Sequence, residues 1–263
     1  MKFFVLLILG LSLVNAGGFF SKYHVNVGMF GQVGYADLHV EVDEDKYKAH
    51  LDAVIIGVAA TLTSNRVERF TSIGRIVNGK YIPDSFVKIK RNDRKSRVQN
   101  YTFNHSQKKV HLVEDKEKIV SKTKFDAIKF EMCIEDVNET SRKEKTLDTY
   151  VASDSLTAFL NARENSNAKT KEYELLAVGA YNNKNKVTLS FLEGEEKKLA
   201  GLNFSKDTKE IYNLHVKPAD EDDSIVDLLV AFDSDGYMSE ALIGEIFWIG
   251  QITASRVKHE VYK

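Results

Sequence analysis

Cysteine and proline are scarce in this chain. Its 263 residues include one cysteine, Cys133, and two prolines. A single cysteine cannot form an intramolecular disulfide, which excludes the small exported domains that depend on such bonds. Hydrophobic residues make up 43% of the chain, and a chain of this length can bury enough of them to fold without disulfides. The composition therefore predicts a protein that is stabilised by its apolar core.

An excess of positive charge is also lacking. Lysine and arginine number 37 against 38 aspartates and glutamates, which gives a net charge of −1. Nucleic-acid-binding proteins concentrate basic residues on one face, so we expect no nucleic-acid partner. The most basic stretch spans residues 88–97 and favours a solvated hairpin tip; the alternative is a contact with anionic lipid head groups or another envelope polymer. Its basic residues are Lys88, Lys90, Arg91, Arg94, Lys95 and Arg97.

Catalytic and metal-binding signatures are missing as well. The seven scattered histidines lack the spacing of a zinc site, and the chain contains no nucleophile elbow or phosphate-binding loop. The segment that starts at Asp233 begins like a calcium loop, but Met238 and Gly244 occupy the positions that require glycine and glutamate. We interpret Asp235 and Gly236 as a hairpin turn. The sequence thus predicts no catalytic residue, no metal and no cofactor, and favours a non-enzymatic protein.

The one long apolar run lies at the N-terminus. A positively charged start precedes an almost unbroken apolar run at residues 3–14, and small residues follow. This is the pattern of a secretory signal peptide, and the run is shorter than the roughly 20 residues that span a bilayer. We expect cleavage between Ala16 and Gly17, with an uncleaved anchor as the alternative. Residues 1–16 are then the signal peptide, and residues 17–263 are expected to form a single β-rich domain outside the cytoplasm, with no transmembrane segment in the mature chain.

Apolar and polar residues alternate along much of the chain. In one such run Ala36, Leu38, Val40 and Val42 share a face, which is typical of a half-buried strand. Short turns separate these runs, as in antiparallel hairpins. Because a flat sheet would expose one apolar face, we predict a mainly β fold with a single antiparallel, strongly curved sheet. We expect about 10–11 strands in a half-barrel or open barrel; a closed barrel or a sandwich is the alternative.

One short helix is predicted between the two halves of the sheet. Asp154 is among its N-cap candidates, and Leu156, Phe159 and Leu160 fall on one face. A helix that covers the concave side of the sheet could leave a cavity there. A second helical turn is predicted at residues 59–64. Polar stretches at 114–122, 138–148 and 220–224 are predicted as loops, and residues 242–257 as one long, bent strand.

Cys133 lies in a strand predicted at residues 125–135. Phe130, Met132 and Ile134 share the apolar face of that strand, which places the thiol on the opposite, polar face. Neighbouring carboxylates disfavour a thiolate. We expect an incidental free thiol, with an intermolecular disulfide or a catalytic role as alternatives.

Asn138 is the candidate N-glycosylation site. Four Asn-x-Ser/Thr triplets occur, at Asn100, Asn104, Asn138 and Asn203. Only Asn138 has an acidic residue two positions earlier, which resembles the extended acceptor of bacterial periplasmic glycosylation systems. Its position in a predicted polar loop favours modification; a chance match is the alternative.

Two segments of the chain resemble a known family. Residues 62–74 (LTSNRVERFTSIG) contain an Arg-x-Glu-Arg stretch, and residues 78–90 (NGKYIPDSFVKIK) join an Asn-Gly turn to a Pro-x-x-Phe-Val-Lys strand. Together with residues 23–34 and 232–257, they resemble DUF3108, a family of bacterial exported proteins of unknown function. The resemblance implies a periplasmic β-rich domain, similar to the half-barrels that carry lipids or lipoproteins, and it supplies no catalytic residues.

The leading functional hypothesis is a periplasmic, non-enzymatic binding module. Its apolar concave face would accommodate a hydrophobic ligand or a lipidated partner under the helix. The alternative is a structural or interaction protein of the bacterial cell envelope, which would use a sheet edge or the basic hairpin. An enzyme is the third hypothesis.

Overall fold

The computed structural model describes residues 16–126, 130–167, 172–179, 186–205, 210–217, 226–246 and 250–262. Eight strands form the first half: β1 (Ala16–Val27), β2 (Gly31–Asp43), β3 (Lys46–Ile55), β4 (Val67–Val77), β5 (Lys80–Arg91), β6 (Lys95–Asn104), β7 (Lys109–Asp126) and β8 (Glu131–Thr146). A 3-10 turn at Gly28–Phe30 joins β1 to β2. Helix α1 (Gly57–Leu62) joins β3 to β4, where the second helical turn was predicted.

The second half begins with the two-residue strand β9 (Ser153–Asp154) and helix α2 (Ser155–Asn167). The strands that follow are β10 (Glu172–Val178), β11 (Lys186–Phe191), β12 (Glu210–Lys217), β13 (Val226–Phe232), β14 (Met238–Ile246) and β15 (Gly250–Tyr262). The prediction of a helix capped by Asp154 is confirmed. Helix α3 (Gly194–Gly201) was not predicted.

The strands form one open sheet, in the order β8-β7-β6-β5-β4-β3-β2-β1-β15-β14-β13-β12-β11-β10-β9. All neighbours are antiparallel except β9 and β10. Nine strands separate β5 from β10, yet Lys88 of β5 donates a hydrogen bond to the carbonyl of Gly179, at the end of β10. The sheet therefore curls back on itself. This confirms the mainly β, curved and open architecture; the described residues contain fifteen strands, so the predicted number was too low.

Helix α2 covers the concave face of the sheet. Leu156 and Leu160 belong to a buried cluster that also draws side chains from six strands of the first half and from β10; its other members are Phe19, Tyr23, Leu38, Val40, Tyr47, Ala49, Phe86, Tyr101, Phe103, Val110, Leu112, Val151 and Val178. The pocket that Phe159 and Leu160 share with the sheet has a volume of only about 20 Å³. A cavity needs about 10–15 Å³ of such space for one water molecule, so this pocket has room for about one water and cannot hold a lipid chain.

The main departure from the predicted fold lies in β7 and β8. The predicted loops at 114–122 and 138–148 belong to these strands up to Thr146, and the predicted strand at 125–135 contains the connection between them. The prediction failed because most side chains of β8 are exposed, so neither face of this strand needed the apolar alternation that marks a half-buried strand. Main-chain pairing with β7 over sixteen residue pairs forms the strand instead.

The last hairpins also differ from the expectation. Residues 242–257 belong to two antiparallel strands, β14 and β15, rather than to one bent strand. The turn predicted at Asp235 and Gly236 is confirmed: the Asp233 carboxylate accepts hydrogen bonds from the backbone amides of Asp235 and Tyr237, both at 2.9 Å. The loop predicted at 220–224 lies outside the described residues.

Candidate interaction site

The distal parts of β7 and β8 form a two-stranded ribbon that projects beyond the rest of the sheet. The last main-chain hydrogen bond to the neighbouring hairpin runs from the Ile119 amide to the Arg94 carbonyl, at 2.8 Å. Beyond it, residues 119–126 pair only with residues 131–138. We call these two segments, with Phe130, the arm. At about 3.3 Å per residue the arm extends about 23 Å past the end of β6.

One face of the arm is apolar and exposed. Cross-strand pairing places Phe125 opposite Met132 and Thr123 opposite Ile134, all on the outer face of the sheet. The exposed fractions are 49% for Phe125, 63% for Met132 and 76% for Ile134. Phe130 is 84% exposed and packs edge-to-face on Phe125, with ring centroids 5.3 Å apart. These four side chains, Phe125, Phe130, Met132 and Ile134, are the arm patch.

Phe130 has an unusual backbone conformation for an aromatic residue. Its φ angle is +55°, in the left-handed region that costs an L-residue about 1–2 kcal/mol. The other non-glycine residues with positive φ in the described part of the chain are all polar: Glu44, Ser64, Asn65, Asn78 and Lys108. Strained residues cluster at functional sites, so a strained aromatic side chain in water marks this position as a candidate for binding.

The opposite face of the arm is covered by ion pairs. Lys122 lies 2.9 Å from Glu139, and Lys124 lies 3.5 Å from Glu135. Lys118, at the arm's base, also contacts Glu139 at 2.9 Å. Hydrogen bonds from Lys122 and Lys118 lower the pKa of Glu139 to about 2. The distal part of the arm therefore has an apolar outer face and a charged inner face. Nearer the base, Asp136 lies on the outer face and Val120 pairs with Val137 on the inner face.

Arg94 holds the base of the arm. Its guanidinium group donates to Asp136 at 3.1 Å, to the Ser121 hydroxyl at 3.0 Å and to the Ile119 carbonyl at 3.4 Å. Hydrogen bonds from Ser121 and Arg94 lower the pKa of the Asp136 carboxyl. Because these contacts join both arm strands to the β5–β6 turn, they orient the arm relative to the sheet.

A buried polar network fixes α2 against the sheet. The Tyr47 hydroxyl lies 2.9 Å from the Ser72 hydroxyl, which donates to the Asp154 carboxylate at 2.6 Å. The other Asp154 oxygen accepts from the amides of Leu156 and Thr157, at 2.8 and 2.9 Å. Burial raises the pKa of Asp154 to about 6 although its hydrogen bonds lower it, and burial also raises the pKa of Tyr47. The network caps the helix and joins it to β3 and β4.

Lys88 is another ionisable group in this interior. It is 7% exposed, and its ammonium group lies 5.5 Å from the centre of the Phe70 ring. Burial lowers the pKa of Lys88 to about 8. Shifted pKa values also accompany catalysis, but here the amine donates to the Gly179 carbonyl between two packed strands. Lys88 therefore joins β5 to the end of β10.

A hydroxyl–imidazole–carboxylate chain lies on the outer face. His50 contacts the Thr71 hydroxyl at 2.9 Å through Nδ1 and the Asp52 carboxylate at 3.0 Å through Nε2. Arg69 donates to the other Asp52 oxygen at 2.6 Å. Burial favours the neutral form of Asp52, but the hydrogen bonds from Arg69 and His50 outweigh it and lower the pKa. This order resembles a catalytic triad, yet it lies on an open strand surface, where it connects β3 to β4.

The predicted cleavage and glycosylation residues lie at two separate places. Residues 1–15 are outside the described part of the chain; β1 begins at Ala16, and Gly17 pairs with Val42. The signal peptide stays a prediction. Asn138 lies opposite Ile119 and is exposed, but it lies in a strand rather than in the predicted loop. Glycosylation of Asn138 likewise stays a prediction.

Cys133 faces away from the arm patch, as predicted. Its thiol is 3.3 Å from the Lys124 carbonyl. Met132 and Ile134 share one face, as predicted, and they are exposed together with Phe130, because no third strand or helix of the described chain covers them. The alternation that predicted the apolar face thus identifies the arm patch.

The basic stretch at residues 88–97 is largely neutralised. Lys90 lies 3.4 Å from Glu68, Arg97 contacts Glu114, and Arg94 binds Asp136. Lys88 points into the interior. Of the six basic residues, Arg91 and Lys95 have no ion pair with the residues that the structure describes, and Lys88 donates to a backbone carbonyl instead. The stretch is therefore a poor candidate for an electrostatic docking surface.

The described ranges contain no group of three or more His, Cys, Asp or Glu side chains placed to hold a metal ion. Over the same ranges, no helix has the length and apolar character needed to cross a membrane.

No protein-family model matches the chain, and no curated protein matches it either. Among solved structures, the chain is similar to the crystal structure of a β-barrel-like protein of the domain of unknown function DUF1849 from Brucella abortus. The TM-score is 0.45 at 13% sequence identity, over 94% of this chain and 98% of that one. The resemblance to DUF3108 therefore stays a prediction.

Proposed function

We propose that this protein is a periplasmic, non-enzymatic binding module that binds a hydrophobic partner, such as a lipidated protein, through the arm. The observation that carries the proposal is the arm patch, whose four large apolar side chains are 49–84% exposed. Apolar surfaces of several hundred Å² on soluble domains mark interaction sites. The export signal predicted at residues 1–16 supports the location.

The size of the patch fits a partner of modest affinity. Its four side chains expose about 500 Å², because large apolar side chains present about 150–250 Å² each when fully exposed. Burying this area contributes about 12 kcal/mol at 25 cal/mol per Å². Association costs about 4–15 kcal/mol in lost freedom, so additional contacts would be needed for tight binding.

The packed interior favours binding on the outside of the sheet. Leu156 and Leu160 pack on the concave face that was expected to receive a ligand, and the pocket beside Phe159 and Leu160 in the described part of the chain measures about 20 Å³. The Asp154 network also holds α2 in place, which argues against a helix that opens as a lid. We therefore place the hydrophobic partner on the arm.

The alternative, a structural protein that uses its sheet edge or basic hairpin, has less support. The edge strand β8 carries many charges, including Glu135, Arg142 and Lys143, and charged edges oppose pairing with another strand. The basic hairpin is neutralised by the ion pairs described above.

The test uses a fluorescent palmitoylated peptide and three proteins: wild type, an arm variant and a control variant. The arm variant carries Phe130→Asn, Met132→Thr and Ile134→Thr; asparagine tolerates the positive φ at position 130, and threonine suits strands. The control carries Leu199→Ser and Leu202→Ser, which remove two exposed apolar side chains near α3 (65% and 82% exposed).

We expect the arm variant to bind the peptide at least about tenfold more weakly, since losing roughly 1.4 kcal/mol of apolar burial already gives that factor. The control should bind like wild type. Equal affinity of all three proteins would refute the proposal. Cell fractionation tests the location: a mature chain that starts at Gly17 in the periplasmic fraction supports it, and a cytoplasmic full-length chain contradicts it.

A further inference from the structure

We infer that this protein forms a symmetric dimer in which the edge strand β8 pairs with β8 of a second copy, antiparallel and centred on Glu139. β8 ends the sheet on one side, and within the described residues β7 is its one neighbouring strand. The inference goes beyond the proposed function and does not depend on the arm patch, because edge pairing uses main-chain groups and charges rather than that apolar face.

The free edge of β8 is formed by the main-chain groups of its even-numbered residues. The Ile119 amide donates to the Arg94 carbonyl in the neighbouring hairpin, so Ile119 turns its main-chain groups away from β8. Asn138, which lies opposite Ile119, therefore turns its own N–H and C=O groups away from β7, because the two residues of a non-hydrogen-bonded pair point apart. The same alternation holds along the strand from Met132 to Thr146. Each even residue there presents a donor and an acceptor to a side where the described chain places no strand.

The charges of β8 reverse along the strand. Its first half is acidic, and its second half is mainly basic. The acidic half contains Glu131, Glu135, Asp136 and Glu139, and the basic half contains Arg142, Lys143 and Lys145 with one acid, Glu144. An antiparallel strand of the same sequence sets each acidic half against a basic half. A second copy of β8 is therefore complementary in charge to the first.

The register centred on Glu139 matches these charges. Glu135 then lies opposite Lys143 of the second copy, and Asp136 lies opposite Arg142 of the second copy. The two-fold symmetry repeats both pairs, so four pairs of opposite charge meet across the edge. The side chains are accessible for this contact: Glu135 is 56%, Asp136 52% and Arg142 62% exposed. Lys143 is exposed as well, and it has no ion pair among the residues that the structure describes.

The neighbouring symmetric registers match fewer charges. A change of register must be even, because an odd change moves each side chain to the other face. Centred one residue earlier, the pairing retains only Glu131 opposite Lys145. Centred one residue later, it sets Asp136 against Glu144, which repel each other. The charges that keep other strands away from a sheet edge thus select this partner and this register.

The two Glu139 carboxylates make the one like-charged contact of the chosen register. Lys118 and Lys122 each lie 2.9 Å from Glu139 within one copy. Symmetry therefore places four ammonium groups around two carboxylates. This excess of positive charge offsets the repulsion between the carboxylates.

The dimer has a consequence for the arm. The two-fold axis stands perpendicular to the joined sheet, so the outer faces of both copies lie on the same side. Both arm patches are then presented in one direction, and edge pairing covers neither of them. A partner with two apolar groups could bind both patches at once.

Sedimentation velocity of Glu135→Lys and Lys143→Glu, separately and mixed, tests the pairing after circular dichroism has confirmed that each variant is folded. Each change makes two attractive contacts of the dimer repulsive, so we expect each variant alone to dimerise at least about tenfold more weakly than wild type. An equimolar mixture should regain the wild-type affinity, because a dimer of one variant with the other has opposite charges at both contacts. The controls Glu195→Lys and Lys198→Glu reverse charges on α3 that are 80% and 72% exposed, and they should dimerise like wild type.

Disulfide trapping tests the register. In Cys133→Ser/Glu139→Cys, the two thiols at position 139 face each other in a non-hydrogen-bonded pair, whose Cα atoms are about 4.5 Å apart. A disulfide spans that distance, so we expect mild oxidation to link this variant. Wild type should stay unlinked. Its Cys133 lies opposite Lys145 of the second copy, which puts the two Cys133 residues about 40 Å apart at about 3.3 Å per residue.

Several results would overturn the inference. A wild type that sediments as a monomer at every concentration refutes it, and so does a dimer that both charge variants leave intact or that their mixture does not restore. A disulfide through Cys133 in wild type would show another register. The arm variant keeps the main chain of β8 and should dimerise like wild type; a dimer lost in that variant alone would mean that the copies meet through the arm patch. The palmitoylated-peptide test judges the proposed function separately from all of these results.

Discussion

Replacing Asp154 by asparagine should change how the stability of this protein depends on pH. Asp154 is fully buried at the N-cap of α2, and burial raises its pKa to about 6, from an ordinary value near 4. The folded chain thus holds this proton more tightly than the unfolded chain. Its contribution to the free energy of unfolding is complete below about pH 4 and is lost as the pH rises through about 6.

The size of the effect follows from the pKa. A rise of about two pH units corresponds to roughly 3 kcal/mol at 1.36 kcal/mol per unit. Asparagine keeps an acceptor for the amides of Leu156 and Thr157 but has no charge to desolvate. Its amide group must donate to Ser72, which reverses one hydrogen bond of the network and costs about 1 kcal/mol. At pH 7.5 we therefore expect the free energy of unfolding of Asp154→Asn to be equal to that of wild type or higher, by up to about 2 kcal/mol.

Urea unfolding at several pH values, followed by circular dichroism, measures this effect. The free energy of unfolding of wild type minus that of Asp154→Asn, taken at each pH, cancels the effect of the other titrating groups. This difference should fall by about 3 kcal/mol between pH 4 and pH 7. Asp154→Ala, which also loses the cap, should be less stable than Asp154→Asn by about 1 kcal/mol. A difference that stays flat, or that rises with pH, would refute the assigned role of burial.

Two further predictions concern the curl of the sheet and the arm. Gly179→Ala should lower the free energy of unfolding by about 2–4 kcal/mol, because a Cβ there would lie 2.2 Å from the Phe86 ring at a φ of +76°. The control Gly194→Ala has open space around its Cβ and should lose only about 1 kcal/mol, for the backbone conformation. Equal urea midpoints of the two variants would contradict this prediction. Arg94→Ala should speed hydrogen exchange at the amides of residues 119–125 and lower overall stability by less than about 1 kcal/mol, since the guanidinium is exposed; unchanged exchange would show that Arg94 does not hold the arm.

The sequence alone was enough to predict the strands and the helix that bury one face. Ala36, Leu38 and Val40 alternate with polar residues because β2 packs on the core, and Leu156, Phe159 and Leu160 recur at helical spacing because α2 does the same. Curvature followed from the need to cover that apolar face. These inferences depend on local periodicity, which survives in a single sequence.

The arm could not be predicted in the same way. Periodicity reports that apolar residues share a face, but not whether anything covers that face. The alternation around Met132 and Ile134 therefore indicated a strand at residues 125–135, and the charged run from Glu114 to Lys122 indicated a loop. The residues that alternate with the apolar ones carried a usable signal, because they are charged. They bear opposite charges on the two strands, which can pair across a solvated hairpin: Lys122, Lys124, Glu135 and Glu139.

The contrast between the interior and the arm supports a division of roles. In the interior, each polar group of the Tyr47, Ser72 and Asp154 network has a partner, and the described pocket beside α2 measures only about 20 Å³, so this part stabilises the fold. The arm has features that lower stability instead: Phe130 has a strained backbone and an exposed side chain, while Arg94 ties the base of the ribbon to the β5–β6 turn. Folding alone would favour asparagine or glycine at position 130 and polar residues at 132 and 134. The combination of strain, apolar exposure and an anchored base is therefore best explained by selection for a contact outside the chain.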